Sequence, residues 1–93
     1  MINSPENYGK PISEELSTYL KEYTDNNDRA NVAAKSRVGI STIRDVTYRN
    51  NNLTETNAEA ITELMKIAII NCQNRIQYSK KVKKDLESQL TAV

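Results

Sequence analysis

The segment that decides the fold is residues 29–52, which read RANVAAKSRVGISTIRDVTYRNNN. Its apolar residues are spaced as on two short helices that cross each other, and they are Val32, Ala33, Ile43 and Val46. The small side chain of Ala33 lets the two backbones approach closely. Gly39 lies between the helices and supplies a flexible turn residue. The segment therefore predicts a helix over residues 29–36, a tight turn, and a second helix over residues 40–48.

Helical signals continue on the N-terminal side of this segment. Ser13 is a good N-cap residue, and Glu14 and Glu15 follow it in the first turn, where the helix dipole favours negative charge. The apolar stripe of this first helix consists of Ile12, Leu16, Tyr19, Leu20 and Tyr23. Asp28 is predicted to cap the helix that begins at Arg29, and the N-terminus of that helix is expected to point at a phosphate.

A last helix is predicted from the capping-box spacing of Thr56 and Glu59. Its apolar positions are Ala58, Ile61, Leu64, Met65, Ala68, Ile69 and Cys72. No glycine or proline follows Thr56, so we expect either one very long helix or a helix that bends near residues 71–74. A bare helix of that length is poorly stable in water. The later apolar residues are therefore predicted to pair with a second copy of the chain, and they are Ile76, Val82, Leu86 and Leu90.

These patterns predict an all-α fold, with a compact helix-turn-helix domain and a long C-terminal helix. We divide the chain into a flexible N-terminal arm (1–11), the helix-turn-helix domain (12–70) and a C-terminal helical extension for oligomerisation (71–93). The single cysteine permits no internal disulfide, and no apolar run resembles a signal peptide or a membrane span. The expected location is cytoplasmic, with no membrane partner.

The formal net charge of +1 is distributed unevenly along the chain. Residues 1–28 hold two lysines against six acids, which gives −4, and residues 29–53 hold five basic residues against Asp45, which gives +4. Residues 54–93 hold six basic residues against five acids, which gives +1. Positive charge is thus concentrated on the predicted helix-turn-helix, as a phosphate-contacting surface requires.

Residues 32–46, VAAKSRVGISTIRDV, resemble the helix-turn-helix of the lambda-repressor-like, or Cro/C1-type, DNA-binding family. Ala33, Val38, Ile43 and Val46 fall on the apolar positions of that family, and residues 12–70 resemble its compact helical domain. The resemblance implies sequence-specific binding of operator DNA, usually as a dimer on a two-fold site. The family usually places glycine, for a left-handed turn, where this chain has Arg37, and the long C-terminal helix is a second departure.

The resemblance also implies site residues. Those that match its base-reading positions are Ile40, Ser41, Arg44 and Asp45. The predicted phosphate-contacting residues are Arg29, Asn31, Lys35, Arg37, Arg49, Asn50 and Asn51. Simpler interpretations remain open, because Asp45 can pair with Arg49 instead of a base, and Ile40 can close the core instead of packing on a thymine methyl group.

The expected function is that of a small repressor of the phage or mobile-element type, which reads the major groove of double-stranded DNA as a homodimer. The alternative is a helical interaction or structural module that binds another protein through its C-terminal helix. No enzymatic activity, cofactor, metal site or small-molecule ligand is expected, because the chain has no histidine, one cysteine and no glycine-rich phosphate loop.

Overall fold

The computed structural model describes residues 2–92 and confirms the all-α fold. A short 3₁₀ helix, Pro5–Asn7, precedes four α-helices, and no strand occurs in the described part of the chain. The α-helices are α1 (Glu14–Tyr23), α2 (Asn26–Ser36), α3 (Ile40–Thr47) and α4 (Ala58–Ala92). Helices thus form in all four predicted places.

The core surrounds the first half of α4, which packs against each of the other three helices. Its buried apolar residues are Ile12, Leu20, Val32, Ile43, Val46, Leu53, Ala58, Ala60, Ile61 and Leu64. The predicted core position of Tyr19 is wrong, since this side chain is 53% exposed. Ser17 is buried on α1 instead, and its Oγ donates a 2.6 Å hydrogen bond to the carbonyl of Thr47.

The last helix runs unbroken from Ala58 to Ala92, which agrees with the first of the two alternatives, one very long helix. Asn71 Nδ2 donates a hydrogen bond to the Tyr23 carbonyl at 2.8 Å, and the Arg75 guanidinium lies 3.3 Å from a Glu22 carboxylate oxygen. Beyond Arg75, no hydrogen bond or ion pair joins the described part of α4 to the body, and residues 2–92 measure 58 × 25 × 20 Å.

Two predicted helix caps are wrong by a few residues. The N-cap of α2 is Asp25, whose side chain accepts from the Asp28 amide while the Asp28 side chain accepts from the Asp25 amide. The same reciprocal arrangement precedes α4, where Thr54 and Asn57 exchange two hydrogen bonds. Thr56 and Glu59 do not form the expected box, because the reciprocal hydrogen bonds begin at Thr54, two positions before Thr56.

The segment before α1 is folded onto the domain, so the expectation of an arm without regular structure is wrong for Pro5–Asn7. The Gly9 amide donates to the Leu53 carbonyl at 2.8 Å, and the Leu53 amide donates to the Lys10 carbonyl at 2.9 Å. Ile2 and Tyr8 pack against the core. This segment and the loop before α4 therefore hold each other in place.

The left-handed residue of the turn between α2 and α3 is Arg37, with φ of 63°, whereas Gly39 has an ordinary φ of −60°. A Cβ atom on Gly39 would meet nothing closer than 3.9 Å. The turn thus keeps a left-handed position where the family has glycine, and the expected role of Gly39 as the turn residue is wrong. Arg49 also has a positive φ, 62°, directly after α3.

No helix within residues 2–92 combines the length and the apolar character needed to cross a lipid bilayer.

The two left-handed arginines provide a matched pair of stability measurements. A glycine at either position relieves a backbone strain of roughly 1–2 kcal/mol and adds an entropy penalty of about 0.5–1 kcal/mol. Because the Arg37 side chain is exposed and forms no hydrogen bond with a described residue, we expect Arg37→Gly to match or exceed wild-type stability. Arg49→Gly loses the hydrogen bond from Nε to the Ile12 carbonyl, so we expect it to be about 1–2 kcal/mol less stable than Arg37→Gly. Urea unfolding followed by circular dichroism measures both, and equal stabilities would contradict the role of this hydrogen bond.

Candidate nucleic-acid interface

The face of α3 opposite the core is open. Ile43 and Val46 are fully buried at 0% exposure, and this anchoring leaves Ile40 and Ser41 exposed at the start of the helix. The Arg44 side chain is 55% exposed and its Nε lies 3.8 Å from a carboxylate oxygen of Asp45. The four predicted base-reading residues therefore lie on one accessible surface, which we call the α3 face: Ile40, Ser41, Arg44 and Asp45.

Of the two interpretations left open for Asp45, the ion pair with Arg49 does not form among the described residues. Asp45 pairs with its neighbour Arg44, and its carbonyl accepts the amides of Asn50 and Asn51 at 2.8 and 3.2 Å. These bonds, together with the left-handed Arg49, close the C-terminus of α3 in the pattern of a Schellman motif. The loop of residues 50–52 is thereby held beside the end of α3, and the side chains of Asn50 and Asn51 are exposed.

Three of the predicted phosphate-contacting residues lie on α2 and in the turn that follows it. Asn31, Lys35 and Arg37 are all exposed, and neither basic side chain forms an ion pair with a described residue. Lys35 and Arg37 precede the α3 face by only a few residues. Their charges are therefore available to an anionic ligand that lies along this face.

Arg29 does not face outward as predicted, because its exposed fraction is only 8%. Its guanidinium carbon lies 5.9 Å from the centre of the Tyr48 ring, and its Nε is buried without a hydrogen-bond partner. Arg49 is also occupied, since its Nε donates to the Ile12 carbonyl at 2.7 Å and its guanidinium contacts Glu14 at 3.4 Å. Both arginines therefore connect helices within the domain.

The N-terminus of α2 is a poor site for an anion, contrary to our expectation. The carboxylates of Asp25 and Asp28 cap its first turn, and Asp28 also accepts a 3.2 Å hydrogen bond from the side chain of Asn71. Two negative charges at this position repel a phosphate and occupy the amide groups that would bind it.

Sequence reasoning missed a cluster of cations around Tyr48. The Lys21 ammonium lies 5.5 Å from the centre of the Tyr48 ring, and Arg29 lies at a similar distance. Tyr48 is 45% exposed, and neither cation forms an ion pair within the described residues. The three side chains come from α1, α2 and the end of α3. Lys21 and Arg29 lie 27 and 19 positions before Tyr48, so no local pattern revealed the cluster.

The predicted oligomerisation residues lie on the extended part of α4. Ile76, Leu86 and Leu90 are 44%, 62% and 77% exposed, and Val82 is half-buried by its helical neighbours. They lie far from the α3 face along the chain and belong to a separate surface.

Comparison with known proteins gives no family for this chain. No family model matches the sequence, and no match was found among curated proteins or solved structures. The assignment to the Cro/C1-type family accordingly stays a resemblance, carried by residues 32–46.

Tyr48 offers a test of the cation cluster in the free protein. Contacts between a cation and an aromatic ring at exposed sites contribute about 0.5–1 kcal/mol each. We expect Tyr48→Leu to lower the free energy of unfolding by about 1 kcal/mol, because both cations lose the ring. Tyr48→Phe is the matched control, and it should keep wild-type stability since it retains the ring. A Phe variant as unstable as the Leu variant would assign the effect to the hydroxyl group instead.

Proposed function

We propose that this chain is a sequence-specific, double-stranded DNA-binding regulator, a small repressor of the phage or mobile-element type, that inserts α3 into the major groove. The observation that carries the proposal is the two-sided character of α3. One side is anchored by fully buried Ile43 and Val46, and the other presents Ser41 and Arg44 to solvent. A short, firmly anchored helix with a polar outer side suits insertion into a groove that is wide enough for one helix.

The chemistry of the α3 face suits base recognition. The Arg44 guanidinium can donate two hydrogen bonds to one guanine, and the Asp45 carboxylate can accept from a cytosine amino group. The Ser41 hydroxyl can donate or accept, and Ile40, which is 37% exposed, can contact a thymine methyl group. The pair between Arg44 and Asp45 is exposed and long, so it opens at little free-energy cost.

Phosphate contacts would come from the residues around this face. Asn31, Lys35 and Arg37 lie before it, and Asn50 and Asn51 lie after it. Lys21 joins them in the proposal because its ammonium forms no ion pair within residues 2–92 and lies beside the exposed Tyr48. Arg29 and Arg49 act by positioning in this scheme, since one supports Tyr48 and the other ties the end of α3 to α1.

The proposal includes a homodimer formed through the extended part of α4. Repressors of this size gain affinity by placing two recognition helices on a two-fold site. The apolar residues Ile76, Leu86 and Leu90, which are exposed, and the half-buried Val82 supply a surface for the second copy.

The same surface favours a second candidate function, an interaction module that holds a different protein through α4. The two functions differ in the residues that they need. A module would be insensitive to Arg44→Ala and would lose its partner when Leu86 and Leu90 become polar. A regulator would lose sequence discrimination with Arg44→Ala.

Selection of bound duplexes from a random pool tests the regulator directly. We expect enrichment of a common sequence with two-fold symmetry, and we expect its affinity to fall steeply with salt, with a slope of about −0.9 for each phosphate contact. Titration with labelled duplexes at several salt concentrations measures the slope. An unenriched pool, or affinity that does not change with salt, would refute the proposed function.

Single substitutions separate base contacts from phosphate contacts. We expect Arg44→Ala to reduce discrimination at one base pair by about 1–3 kcal/mol. Lys35→Gln and Lys21→Gln should weaken all duplexes alike and should each reduce the salt slope by about one. Arg75→Gln is the matched control, because this exposed arginine pairs with Glu22 away from α3. Equal losses for Arg75→Gln and Lys35→Gln would show that the effect comes from net charge alone.

A further inference from the structure

The exposed face of α4 carries a regular pattern that includes three of the predicted oligomerisation residues, Ile76, Leu86 and Leu90. Its positions are spaced alternately by three and four residues, as in a coiled-coil seam. We define the seam as Ile69, Cys72, Ile76, Ser79, Lys83, Leu86 and Leu90. The seam is apolar at both ends and polar only at its two central positions.

The seam is accessible along its whole length, including the part beside the folded domain. Ile69 is 68% exposed although α1 and α2 pack against the same half of α4. Next to it, Tyr23, Cys72, Arg75 and Ile76 line an open groove of about 410 Å³. A second helix can therefore run past the tip of α4 and reach the body of the domain.

From these observations we infer that α4 pairs with α4 of a second copy in antiparallel orientation, centred on residue 81. The inference rests on the homodimer of the proposed function and specifies its direction. In this alignment, Cys72 lies opposite Leu90 of the second copy, and Ile76 lies opposite Leu86. The polar residues also meet, because Ser79 lies opposite Lys83. Each apolar residue between 72 and 90 thus has an apolar partner, and the two polar positions share the centre.

Charge disfavours the parallel alternative. Parallel pairing in register would place Lys83 against its own copy within the seam, and it would place Arg75 beside Lys80 of the second copy on both sides. Antiparallel pairing replaces these contacts with Lys83 near Ser79 and Arg75 near Gln89. At the centre, Lys80 lies near its own copy, the two Lys83 residues lie about one helical turn apart, and Val82 meets its copy. Antiparallel pairing therefore brings fewer basic residues into direct contact than parallel pairing does.

In this pairing, each end of the two-helix contact lies at the groove beside Tyr23. Leu90 of the second copy would enter the space between Tyr23, Cys72 and Ile76, and the two-fold axis would repeat this contact at the other end. The overlap between residues 72 and 90 is about 27 Å long. Two helices in contact over this length bury less surface area than most stable interfaces do. We therefore expect a dimer with a dissociation constant in the micromolar range.

Cys72 makes the direction measurable. Its copy would lie about 27 Å away in the antiparallel dimer, far beyond the reach of a disulfide, whereas a parallel dimer would bring the two Cys72 residues together. We expect the full chain with Leu90→Cys to form a covalent dimer in glutathione disulfide, with Cys72 linked to the new cysteine in peptide mapping. Three controls should stay unlinked. They are the wild type, the double variant with Leu90→Cys and Cys72→Ser, and Tyr78→Cys, whose cysteine lies off the seam. A link between two copies of residue 72, or between two copies of residue 90 in the double variant, would overturn the inference.

Sedimentation of the unmodified chain tests the dimer itself. We expect Leu86→Lys to weaken the dimer at least about tenfold. Ile70→Lys is the control, because Ile70 is 59% exposed but lies off the seam, and it should leave the dimer unchanged. A chain that stays monomeric at several hundred micromolar would refute the dimer and leave the face to a different protein. A disulfide between the two copies of residue 72 would refute only the antiparallel orientation. DNA binding by α3 is measured independently of both the dimer and its orientation.

Discussion

Burial of one side of α4 is the interaction on which the rest of this small structure depends. Ala60, Ile61 and Leu64 are fully buried, and α1, α2 and α3 each contact the half of α4 that contains them. The chain has no phenylalanine or tryptophan to enlarge its core. The helix-turn-helix segment therefore keeps its shape by resting on α4, and the position of the α3 face follows from that contact.

Local patterns predicted the helices well because each helix carries its own signals. Val32, Ile43, Val46 and Leu64 recur at helical spacing, and all four are buried where that spacing placed them. The same reasoning failed where a residue distant in sequence decides which side chain of a helix is buried. Tyr19 fits the apolar stripe of α1, yet Ser17 takes the buried position because the carbonyl of Thr47 needs a donor there.

The candidate site divides in the same way. The α3 face could be predicted, because a helix with one apolar side must expose the other. The contacts that the two buried or bonded arginines make could not be predicted from the sequence. Arg29 and Arg49 read as surface charges in the sequence, but the structure places one against Tyr48 and ties the other to the Ile12 carbonyl. Lys21 escaped notice because its aromatic neighbour lies 27 positions further along the chain.

The unbroken course of α4 has a mechanical consequence. Leu64 in the core and Leu90 near the tip belong to one continuous helix, with no proline or glycine between them. A force applied near Leu90 would therefore reach the core residues beneath α3 through one continuous helix.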